Sequence, residues 1–534
     1  MDEYFGETQI TDVTEVTILT PSFGLPSPTT ISLPTTATTV GQDGDIQPDL
    51  EAFEGMLVTF SDTLSINEMF QLDRFNEIKL VQGERPFHFT QQNLPDTVGY
   101  QHHLEEVGAR QITYDDGLAL QNQLICNLDG FGEGPCQSGS FSTASNIRMG
   151  DTVTGLTGIL YYKWAGNGAS GATWRVSSVA NNSVWFNKVN ERPTRLPNLG
   201  GQYKLASLNV LNYFATIDTN GARTANEQEP RGADNAEEFS RQTEKLTRAI
   251  LDMDVDVLGL VELENDFARG SNGNAIEFLV ETLNAKTGDE TFAWVDPGTQ
   301  FVDSGDAISN GFIYKVSSIK RIEGDVAILR DETAAGLGID VPSEGIFDGR
   351  STSRAPIAVS FRFSTGPCIT VALNHLKSKG SINGAPGNED SGDGAGNNNA
   401  NRLLAAQAIH TWLETEPTGN MCQRKAIIGD LNSYAKEDPI TYLESVGYTD
   451  TARASNGDSI YSYVFDGQIG TLDYILVNRW LLNKVTGAAT WNINADEPDA
   501  IDYNLDFGRD PAIFASDTPY RFSDHDALVV GMDL

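Results

Sequence analysis

The stretch Arg521-Phe522-Ser523-Asp524-His525-Asp526, which runs directly into the apolar residues 527–530, decides the fold of this chain. A carboxylate beside an imidazole at the start of a strand is typical of metal-dependent hydrolases, because the pair can hold a cation and activate water side by side. Further polar clusters end apolar segments upstream: Leu208-Asn209-Val210, Val261-Glu262, Asn374-His375-Leu376-Lys377-Ser378-Lys379, Gly429-Asp430-Leu431-Asn432 and Leu472-Asp473-Tyr474. Their repeated position at predicted strand ends indicates one shared site in the carboxyl-terminal half.

Length and charge limit the classes of function. The chain has 534 residues, which predicts two to four domains. No stretch approaches the roughly 20 apolar residues of a membrane helix, so we expect no membrane insertion. The net charge of −38, from 36 Lys+Arg against 74 Asp+Glu, opposes the phosphate-driven association of ordinary DNA-binding proteins. A polyanionic substrate would therefore require divalent cations and a local basic rim; no obligate protein partner is inferred.

Four segments differ in pattern along the chain. Residues 1–50 are Thr/Pro-rich and are interpreted as the end of an earlier β module, although a coincidence of Gly/Thr-rich strands explains the weak internal similarity equally well. Residues 51–190 show short alternating runs, which predicts an all-β domain similar to an oligonucleotide/oligosaccharide-binding (OB) fold. Residues 191–199 form a linker, and residues 200–534 alternate strands with amphipathic helices. The predicted fold is an α/β four-layer sandwich, two packed β-sheets flanked by helices, preceded by the OB-like domain.

Oxygen-bearing side chains dominate the strand-end clusters. Each one alone is more often a turn or cap residue, since Asp and Asn commonly end strands. Five at the ends of apolar strands favour a cation site instead, because such positions converge on one edge of a sheet. Oxygen ligands select hard cations such as Mg²⁺, Mn²⁺ or Ca²⁺ over Zn²⁺. The five are Asn209, Glu262, Asp430, Asn432 and Asp524.

Histidines and cationic side chains supply the remaining candidate chemistry. His375 and His525 lie in polar contexts at strand ends, where a lone histidine is usually a structural group. Asp473 could orient an imidazole and stabilise its protonated form, as acid–base chemistry requires. Scarce positive charges near the motifs are candidates for binding phosphate oxygens, although each by itself is better explained as a solvated surface charge. They are Arg354, Lys377, Lys379 and Arg402.

The four cysteines predict two disulfides. Cys126 and Cys136 bracket a short Gly/Asp loop, while Cys368 and Cys422 each open an apolar strand that leads to a polar cluster. Adjacent strands that both begin with cysteine place the sulfurs within bridging reach. Buried free thiols are the alternative. Disulfides are favoured because no pair has metal-ligand spacing and the rest of the chain is typical of an extracellular protein.

The clusters together resemble the endonuclease/exonuclease/phosphatase superfamily, the deoxyribonuclease I-like fold, over about residues 200–534. The most specific elements are Gly429-Asp430-Leu431-Asn432, Ser523-Asp524-His525 and Leu472-Asp473-Tyr474. Within that superfamily the chain is similar to secreted bacterial ExeM/NucH-type extracellular nucleases, which share four further runs. These runs are Gly55-Met56-Leu57-Val58, Asp115-Asp116-Gly117, His375–Lys379 and Gly392–Gly396.

The resemblance implies a cation site and an activity. The cofactor would be Mg²⁺ or Mn²⁺, with Ca²⁺ as a third candidate. The expected activity is hydrolysis of phosphodiester bonds in extracellular DNA, with RNA as a further candidate substrate, by a secreted enzyme whose precursor is longer than this chain. Four residues would surround the cation: Asn209, Glu262, Asp430 and Asp524.

The resemblance also implies roles in proton transfer and phosphate binding. His525 paired with Asp473 would be the general base. Asn432 would orient the phosphate or the attacking water, and His375 would assist at the phosphate or the leaving oxygen. At the rim of the site would lie Lys377 and Lys379.

Two alternative functions stay open on the sequence alone. The first is the same fold acting on another phosphoester, such as a phospholipid head group or a nucleotide; no convincing aromatic or basic hairpin for a membrane surface is found. The second is a non-catalytic, calcium-stabilised surface protein that keeps the fold. The intact set of carboxylates and both histidines speaks against this second alternative.

Overall fold

A computed structural model describes residues 2–534 except 5, 21–23, 42, 118–119, 123–146, 165–170, 178–183, 270–272, 303–304, 321–324, 350, 365 and 507–517. Its amino-terminal part is mainly β structure. The strands are β1 Asp2–Tyr4, β2 Glu7–Gln9, β3 Thr29–Ile31, β4 Thr38–Val40, β5 Ile46–Pro48, β6 Leu57–Phe60, β7 Thr63–Glu68, β8 Ile78–Gln82, β9 Gln111–Asp115, β10 Thr152–Thr154, β11 Thr157–Lys163 and β12 Thr173–Ser177. The helices are α1 Leu72–Phe75, α2 Phe89–Gln92 and α3 Thr97–Gly108.

An eight-stranded sheet organises this amino-terminal part, in the order β10-β7-β8-β9-β12-β11-β6-β3. Strands β6 and β7 follow each other in the chain with two residues between them, yet they lie towards opposite ends of the sheet. The sheet therefore curves back on itself. Strand β12 runs parallel to β9, whereas its pairing with β11 is antiparallel. Strand β3 pairs with β6, so residues before 51 also contribute to this sheet.

The carboxyl-terminal part contains fifteen of the described strands and seven of the described α-helices. The strands are β13 Tyr203–Tyr213, β14 Val257–Glu264, β15 Phe292–Trp294, β16 Ile308–Lys315, β17 Ile319–Lys320, β18 Val326–Ile328, β19 Arg354–Phe363, β20 Cys368–His375, β21 Arg424–Asp430, β22 Tyr448–Asp450, β23 Tyr463–Phe465, β24 Gln468–Gly470, β25 Asp473–Asn478, β26 Val485–Trp491 and β27 Ala527–Met532. The helices are α4 Ala236–Met253, α5 Ala275–Thr287, α6 Asp331–Gly336, α7 Asn399–Glu414, α8 Asp438–Ser445, α9 Thr451–Asn456 and α10 Arg479–Leu482.

Two large sheets in this part pack against each other. One has the order β15-β16-β14-β13-β27-β26; the other runs β17-β19-β20-β21-β25-β22, with β18 added beside β19. Helix α5 packs on β14 and β15, and α10 packs on β21 and β25. At the contact between the sheets, Gly259 faces Leu373 and Ile428, whose side chains would lie within 2.8 Å of an added Cβ atom. This arrangement is the predicted α/β sandwich.

Helix α4 shows how local sequence produces these elements. The side chain of Asn235 caps it by accepting from the backbone N–H groups of Glu237 and Glu238. The helix ends at Asp254, which adopts a left-handed backbone conformation. Its apolar face, which includes Leu246 and Ile250, is fully buried in the main core.

Of the two predicted disulfides, Cys368–Cys422 is present and connects the start of β20 to the segment before β21. The other predicted pair, Cys126 and Cys136, lies outside the described residues. Among the described helices, none is both long enough and apolar enough to span a membrane.

Buried ion pairs join the amino-terminal and carboxyl-terminal parts. Arg85 NH1 lies 2.7 Å from Asp496 Oδ1, and Arg148 Nε lies 2.7 Å from Glu497 Oε1. The side chains of both acids are fully buried, and each acid has a second arginine partner, Arg148 for Asp496 and Arg192 for Glu497. The two parts therefore form a closely packed unit.

Candidate active site

The predicted polar residues meet at one edge of the two packed sheets. Strands β13 and β14 run parallel, as do β20 and β21, so their carboxyl ends lie together. Strands β25 and β27 run antiparallel to these neighbours and begin at the same edge. The topology thereby collects residues from six strands: Asn209, Glu262, His375, Asp430, Asp473 and His525.

Irregular backbone aims Glu262 at this edge. A register shift between Val261 and Leu263 interrupts the pairing of β14 with β16, and Glu262 has φ +67°. Non-glycine residues rarely adopt this left-handed conformation, and β-bulges often redirect side chains beside active sites. The carboxylate then accepts a hydrogen bond from the backbone of Asn212 at 3.0 Å. The bulge is therefore a positioning feature of the site.

The close pairing of β21 with β20 depends on Gly429, which lies within β21. Its φ is +123°, and a Cβ atom there would lie 1.8 Å from the carbonyl oxygen of Asn374 on β20. No other residue type could occupy this position without moving one strand. Beyond it, the Asn432 N–H donates to Asp430 Oδ1 at 2.8 Å, and Asn432 Nδ2 donates to the Leu376 carbonyl.

The oxygen-bearing residues form a compact buried group. Asn209 Nδ2 lies 3.0 Å from Glu262 Oε1 and 3.5 Å from Asp430 Oδ2. Burial is the main cause that raises the pKa of both carboxyl groups, because it disfavours their charged form. The charge of Asp524 adds to the rise for Glu262, which places Asp524 beside the group.

This donor set fits a divalent cation. The carboxylate of Asp430 is buried and that of Glu262 is partly buried; both contact the NH2 group of Asn209, and they repel one another unless a positive charge lies between them. Asp473 Oδ1 is also buried and accepts no hydrogen bond from the described residues. Among those residues, Asp430, Asp473 and His525 offer ligand atoms within 4.8 Å of one another. Carboxylate oxygens favour Mg²⁺, Mn²⁺ or Ca²⁺. The side-chain oxygen of Asn209 accepts the Leu211 N–H at 3.0 Å, so the carboxylates are the oxygen ligands that face the site.

His525 and Asp473 form a closely held pair. His525 Nδ1 donates to Asp473 Oδ2 at 2.8 Å, and the hydroxyl of Ser462 donates to the same oxygen at 2.7 Å. The other ring nitrogen, Nε2, lies 4.0 Å from Asp430 Oδ2. Tyr463 stacks on the imidazole with ring centroids 4.4 Å apart. The ring is thus fixed on three sides.

Charge at His525 favours the protonated imidazole. Burial by itself lowers the pKa of the ring, but the negative charges of Asp473 and Asp524 outweigh burial and raise the pKa well above its ordinary value. The pair resembles a general base with an orienting carboxylate, in which the acid stabilises the imidazolium that forms.

His375 occupies a contrasting environment. Its Nε2 atom lies 3.6 Å from Asp430 Oδ2 and 3.4 Å from Arg354 NH1, and its Nδ1 is buried without a hydrogen-bond partner. Burial lowers the pKa of His375 well below its ordinary value, and the positive charge of Arg354 lowers it further. His375 is therefore a neutral imidazole at the edge of the carboxylate group.

Arg354 is joined to residues that the sequence analysis did not identify. Its Nε donates to Asp306 Oδ2 at 3.0 Å, and Arg231 NH2 donates to Asp306 Oδ1 at 2.6 Å. Asp306 thereby pairs with two guanidinium groups, of which Arg354 lies next to His375. Neither Arg231 nor Asp306 belongs to a polar cluster at a predicted strand end, so the sequence pattern did not identify them.

Lys377 lies near the site and is mostly buried. Its Nζ lies 3.4 Å from the hydroxyl of Ser381. Burial lowers the pKa of Lys377 to about 8, and the charge of Arg354 acts in the same direction. The position is consistent with the predicted rim.

Lys379 and Arg402 are not placed to bind a phosphate, which corrects the prediction for both. Lys379 Nζ donates to both carboxylate oxygens of Glu437 and to the Ala395 carbonyl. Arg402 is fully buried, and its donors are used by Ser433, Glu437 and three backbone carbonyls. Both cations instead neutralise Glu437, whose carboxylate is fully buried. An unpaired charge there would be costly, which explains why the two residues point inward.

A groove of about 800 Å³ opens beside the site and is lined by Asn212, Tyr463 and Asp524. Among its described residues are ten carboxylates and the two arginines Arg231 and Arg521. The strongly negative charge of the whole chain therefore extends into the surface next to the catalytic candidates.

Comparisons with known proteins concern the fold. No protein-family model matches the chain, and no curated protein matches its sequence. Solved structures that resemble it include an endonuclease/exonuclease/phosphatase from Bacteroides vulgatus, with 12% identity and a TM-score of 0.36 over 62% of this chain and 98% of that chain. TDP2 from D. rerio, complexed with a single-strand DNA product, has 12% identity and a TM-score of 0.36 over 61% and 97%. A mannosyl-6-phosphatase from Bacteroides thetaiotaomicron has 13% identity and a TM-score of 0.35 over 62% and 100%.

Proposed function

We propose that this protein is a phosphodiesterase of the endonuclease/exonuclease/phosphatase type that hydrolyses DNA with a divalent cation. The observation that carries the proposal is the His525–Asp473 pair, joined at 2.8 Å, with its free ring nitrogen directed towards the buried carboxylate of Asp430 at 4.0 Å. A base beside a cation-binding carboxylate group is the arrangement that hydrolysis of a phosphoester requires.

The cation would be held by oxygen ligands from four strands or strand ends. When bound, it supplies Lewis-acid stabilisation of the negative charge that develops on the phosphate. The bulge at Glu262 and the close pairing of Gly429 with β20 fix two of these ligands before any cation arrives. The proposed ligands are Asn209, Glu262, Asp430 and Asp524.

Protons and phosphate oxygens would be handled by the surrounding side chains. His525 would act as a base from its neutral form, which is favoured once the negative charges around it are offset by a bound cation; its Nε2 takes a proton from the attacking water, while Asp473 stabilises the imidazolium and Ser462 keeps the carboxylate oriented. Asn432 orients the phosphate or the water. Arg354, held by Asp306, offers its guanidinium to a phosphate oxygen.

The neutral imidazole of His375 and the ammonium of Lys377 complete the proposed phosphate environment. A buried neutral imidazole donates a hydrogen bond without adding a charge that would compete with the cation. Lys377 contributes a point charge at the rim.

The finer description is that of a secreted enzyme acting on extracellular DNA. The disulfide Cys368–Cys422 supports an oxidising compartment. The curved sheet in which β6 and β7 lie towards opposite ends supports an OB-like barrel, a fold that commonly positions nucleic acid. Its role here would be to position the polymer beside the catalytic part.

A plasmid-digestion assay tests the proposal. The purified protein is incubated with supercoiled DNA and Mg²⁺, Mn²⁺, Ca²⁺ or a chelator, beside His525→Ala. We expect nicked and linear products with at least one cation and none with the chelator or the variant. Retained cleavage in the chelator, or no hydrolysis of any nucleic acid with any of the three cations, would refute the function.

A further inference from the structure

Two exposed aromatic rings line the groove beside the proposed catalytic residues. Phe70 follows β7 of the amino-terminal part and is 64% exposed, and Phe465 ends β23 and is 62% exposed. Large apolar side chains so exposed carry an unfavourable hydration cost, and paired ones at a concave surface are typical of binding sites.

A salt bridge brings the two rings to the same place. Lys79 Nζ lies 2.8 Å from Asp466 Oδ1 and 3.3 Å from Glu68 Oε1. Asp466 directly follows Phe465, and Glu68 is two residues before Phe70. Burial opposes the charged form of Lys79, but the two carboxylates outweigh it and raise the pKa of Lys79. The amino-terminal part thus presents Phe70 next to the hairpin that carries Phe465.

The same hairpin reaches the general base. Tyr463 and Phe465 are two positions apart on β23, so their side chains project from the same face of the strand, roughly 7 Å apart. Tyr463 stacks on the His525 imidazole at 4.4 Å. Tyr463 and Phe465 therefore lead from His525 into the groove that Phe70 also lines.

Charge separates these aromatic rings from the phosphate side of the site. Ten carboxylates line the groove, so its far field repels phosphate groups. Arg354, held by Asp306, lies 3.4 Å from His375 and is not among the residues that line the groove, so its guanidinium favours phosphate oxygens away from the aromatic rings. A bound strand would be oriented with its phosphates towards Arg354 and its bases towards the aromatic rings.

We propose that Phe70, Tyr463 and Phe465 form a stacking platform for unpaired nucleobases, which makes single-stranded nucleic acid the preferred substrate. This inference rests on the proposed function. Aromatic rings bind bases through their π faces without requiring a particular sequence, and bases in a duplex are already stacked on one another. Binding by stacking also lets so acidic a protein hold a polyanion without a basic surface.

Steady-state hydrolysis of a single-stranded oligonucleotide tests the platform, using Phe70→Ala, Phe465→Ala and the conservative Phe465→Trp. Each alanine variant should raise KM about tenfold with little change in kcat, whereas Phe465→Trp should retain the wild-type KM. The matched control is Trp480→Ala, which removes a 47% exposed aromatic residue on α10 that is not among the described groove residues. Blunt duplex substrate should respond much less to any of these changes.

An abasic oligonucleotide provides the decisive comparison. If stacking is responsible, removing the bases next to the cleaved bond should raise the wild-type KM by a similar factor and abolish the further effect of Phe465→Ala. The platform would be overturned if both alanine variants kept the wild-type KM, or if their KM rose equally on duplex and on single-stranded substrate. Normal cleavage by the wild type would in either case leave the hydrolytic function intact.

Binding separates the two proposals if hydrolysis is absent. Fluorescence anisotropy of a labelled single strand is measured with His525→Ala and with the same protein carrying Phe465→Ala. A tenfold weaker affinity in the double variant supports the platform even if the function fails. Equal affinities contradict it.

Discussion

Gln91 in the amino-terminal part is hydrogen-bonded to Thr471 in the carboxyl-terminal part, with its Oε1 atom accepting the Thr471 N–H at 3.0 Å. The same oxygen accepts the N–H of Ala435 at 3.4 Å. Thr471 lies two residues before Asp473, and Ala435 lies three residues after Asn432. One buried side chain therefore connects the loops that carry the partner of the proposed base and the proposed phosphate-orienting residue.

Backbone pairing reinforces this connection. The N–H of His88 donates to the Ile469 carbonyl at 2.9 Å, and the N–H of Ile469 donates to the Pro86 carbonyl at 2.9 Å. His88 also stacks on Tyr434 with ring centroids 4.1 Å apart. The segment 86–91 is therefore packed into the carboxyl-terminal part, and the amino-terminal part supports the site mechanically in addition to any role in binding.

We expect Gln91→Ala to lower kcat about tenfold with little change in KM, because Gln91 positions Asp473 through Thr471 and is not placed to touch substrate. Loss of the Gln91 oxygen leaves two buried backbone N–H groups without an acceptor, and each such group lowers the free energy of unfolding by roughly 1–3 kcal/mol. Kinetics across pH and a thermal melt measure the effect, with the exposed neighbour Gln92→Ala as control. An unchanged kcat in a folded variant would contradict the positioning role, as would an equal loss in the control.

His525→Ala should reduce kcat by about 10²–10⁴-fold or more while the melting temperature stays close to that of the wild type, because general bases contribute on this scale. Asp473→Asn should be milder, since it keeps the shape of the side chain and loses the charge. Oligonucleotide hydrolysis and circular dichroism provide the measurements. A larger loss for Asp473→Asn would indicate instead that Asp473 binds the cation, the role that its proximity to Asp430 also allows.

Divalent cations should stabilise the folded protein independently of activity. A ligand present at 100 times its dissociation constant adds about 2.7 kcal/mol to the free energy of unfolding. Mg²⁺, Mn²⁺ or Ca²⁺ should raise the melting temperature of the wild type but not that of a Glu262→Gln, Asp430→Asn double variant. In chelator the double variant should be more stable than the wild type, because burial disfavours both charges. An equal rise in both proteins would place the cation elsewhere.

Lys245 predicts a pH dependence of stability away from the site. Its Nζ is fully buried on α4 and donates to the Tyr520 carbonyl at 2.6 Å, and burial lowers the pKa of Lys245 from 10.5 to about 7. Between pH 7 and 10.5 the unfolded chain binds more protons at this residue, so its destabilising effect is complete below pH 7 and is lost as pH rises.

The comparison with Lys245→Met isolates this effect. The free energy of unfolding of the wild type minus that of the variant should increase with pH by up to about 1.4 kcal/mol per unit between pH 7 and 10. Urea denaturation at several pH values measures the difference. A flat difference would show that Lys245 keeps its ordinary pKa in the folded protein.

The sequence by itself identified the strands and the residues at their ends. Apolar runs that stop at Asn209, Glu262 and Asp430, and the run that begins after His525, are local patterns, and strand direction places these residues at one edge of a sheet. The pairing of Cys368 with Cys422 followed in the same way, since each cysteine precedes or begins a strand that leads to the site, and β20 and β21 are neighbours.

Only the tertiary structure decided which charged residues serve the site. Lys379 and Arg402 lie in or near a strand-end cluster, yet both pair with the buried carboxylate of Glu437. Glu437 is 58 residues from Lys379 and 35 residues from Arg402 in the sequence. Arg231 and Gln91 reach the site from segments without a local signal; Gln91 is 380 residues from Thr471. Side-chain pairing across such distances depends on which buried charge or amide needs a partner once the sheets have packed, and no local periodicity encodes that choice.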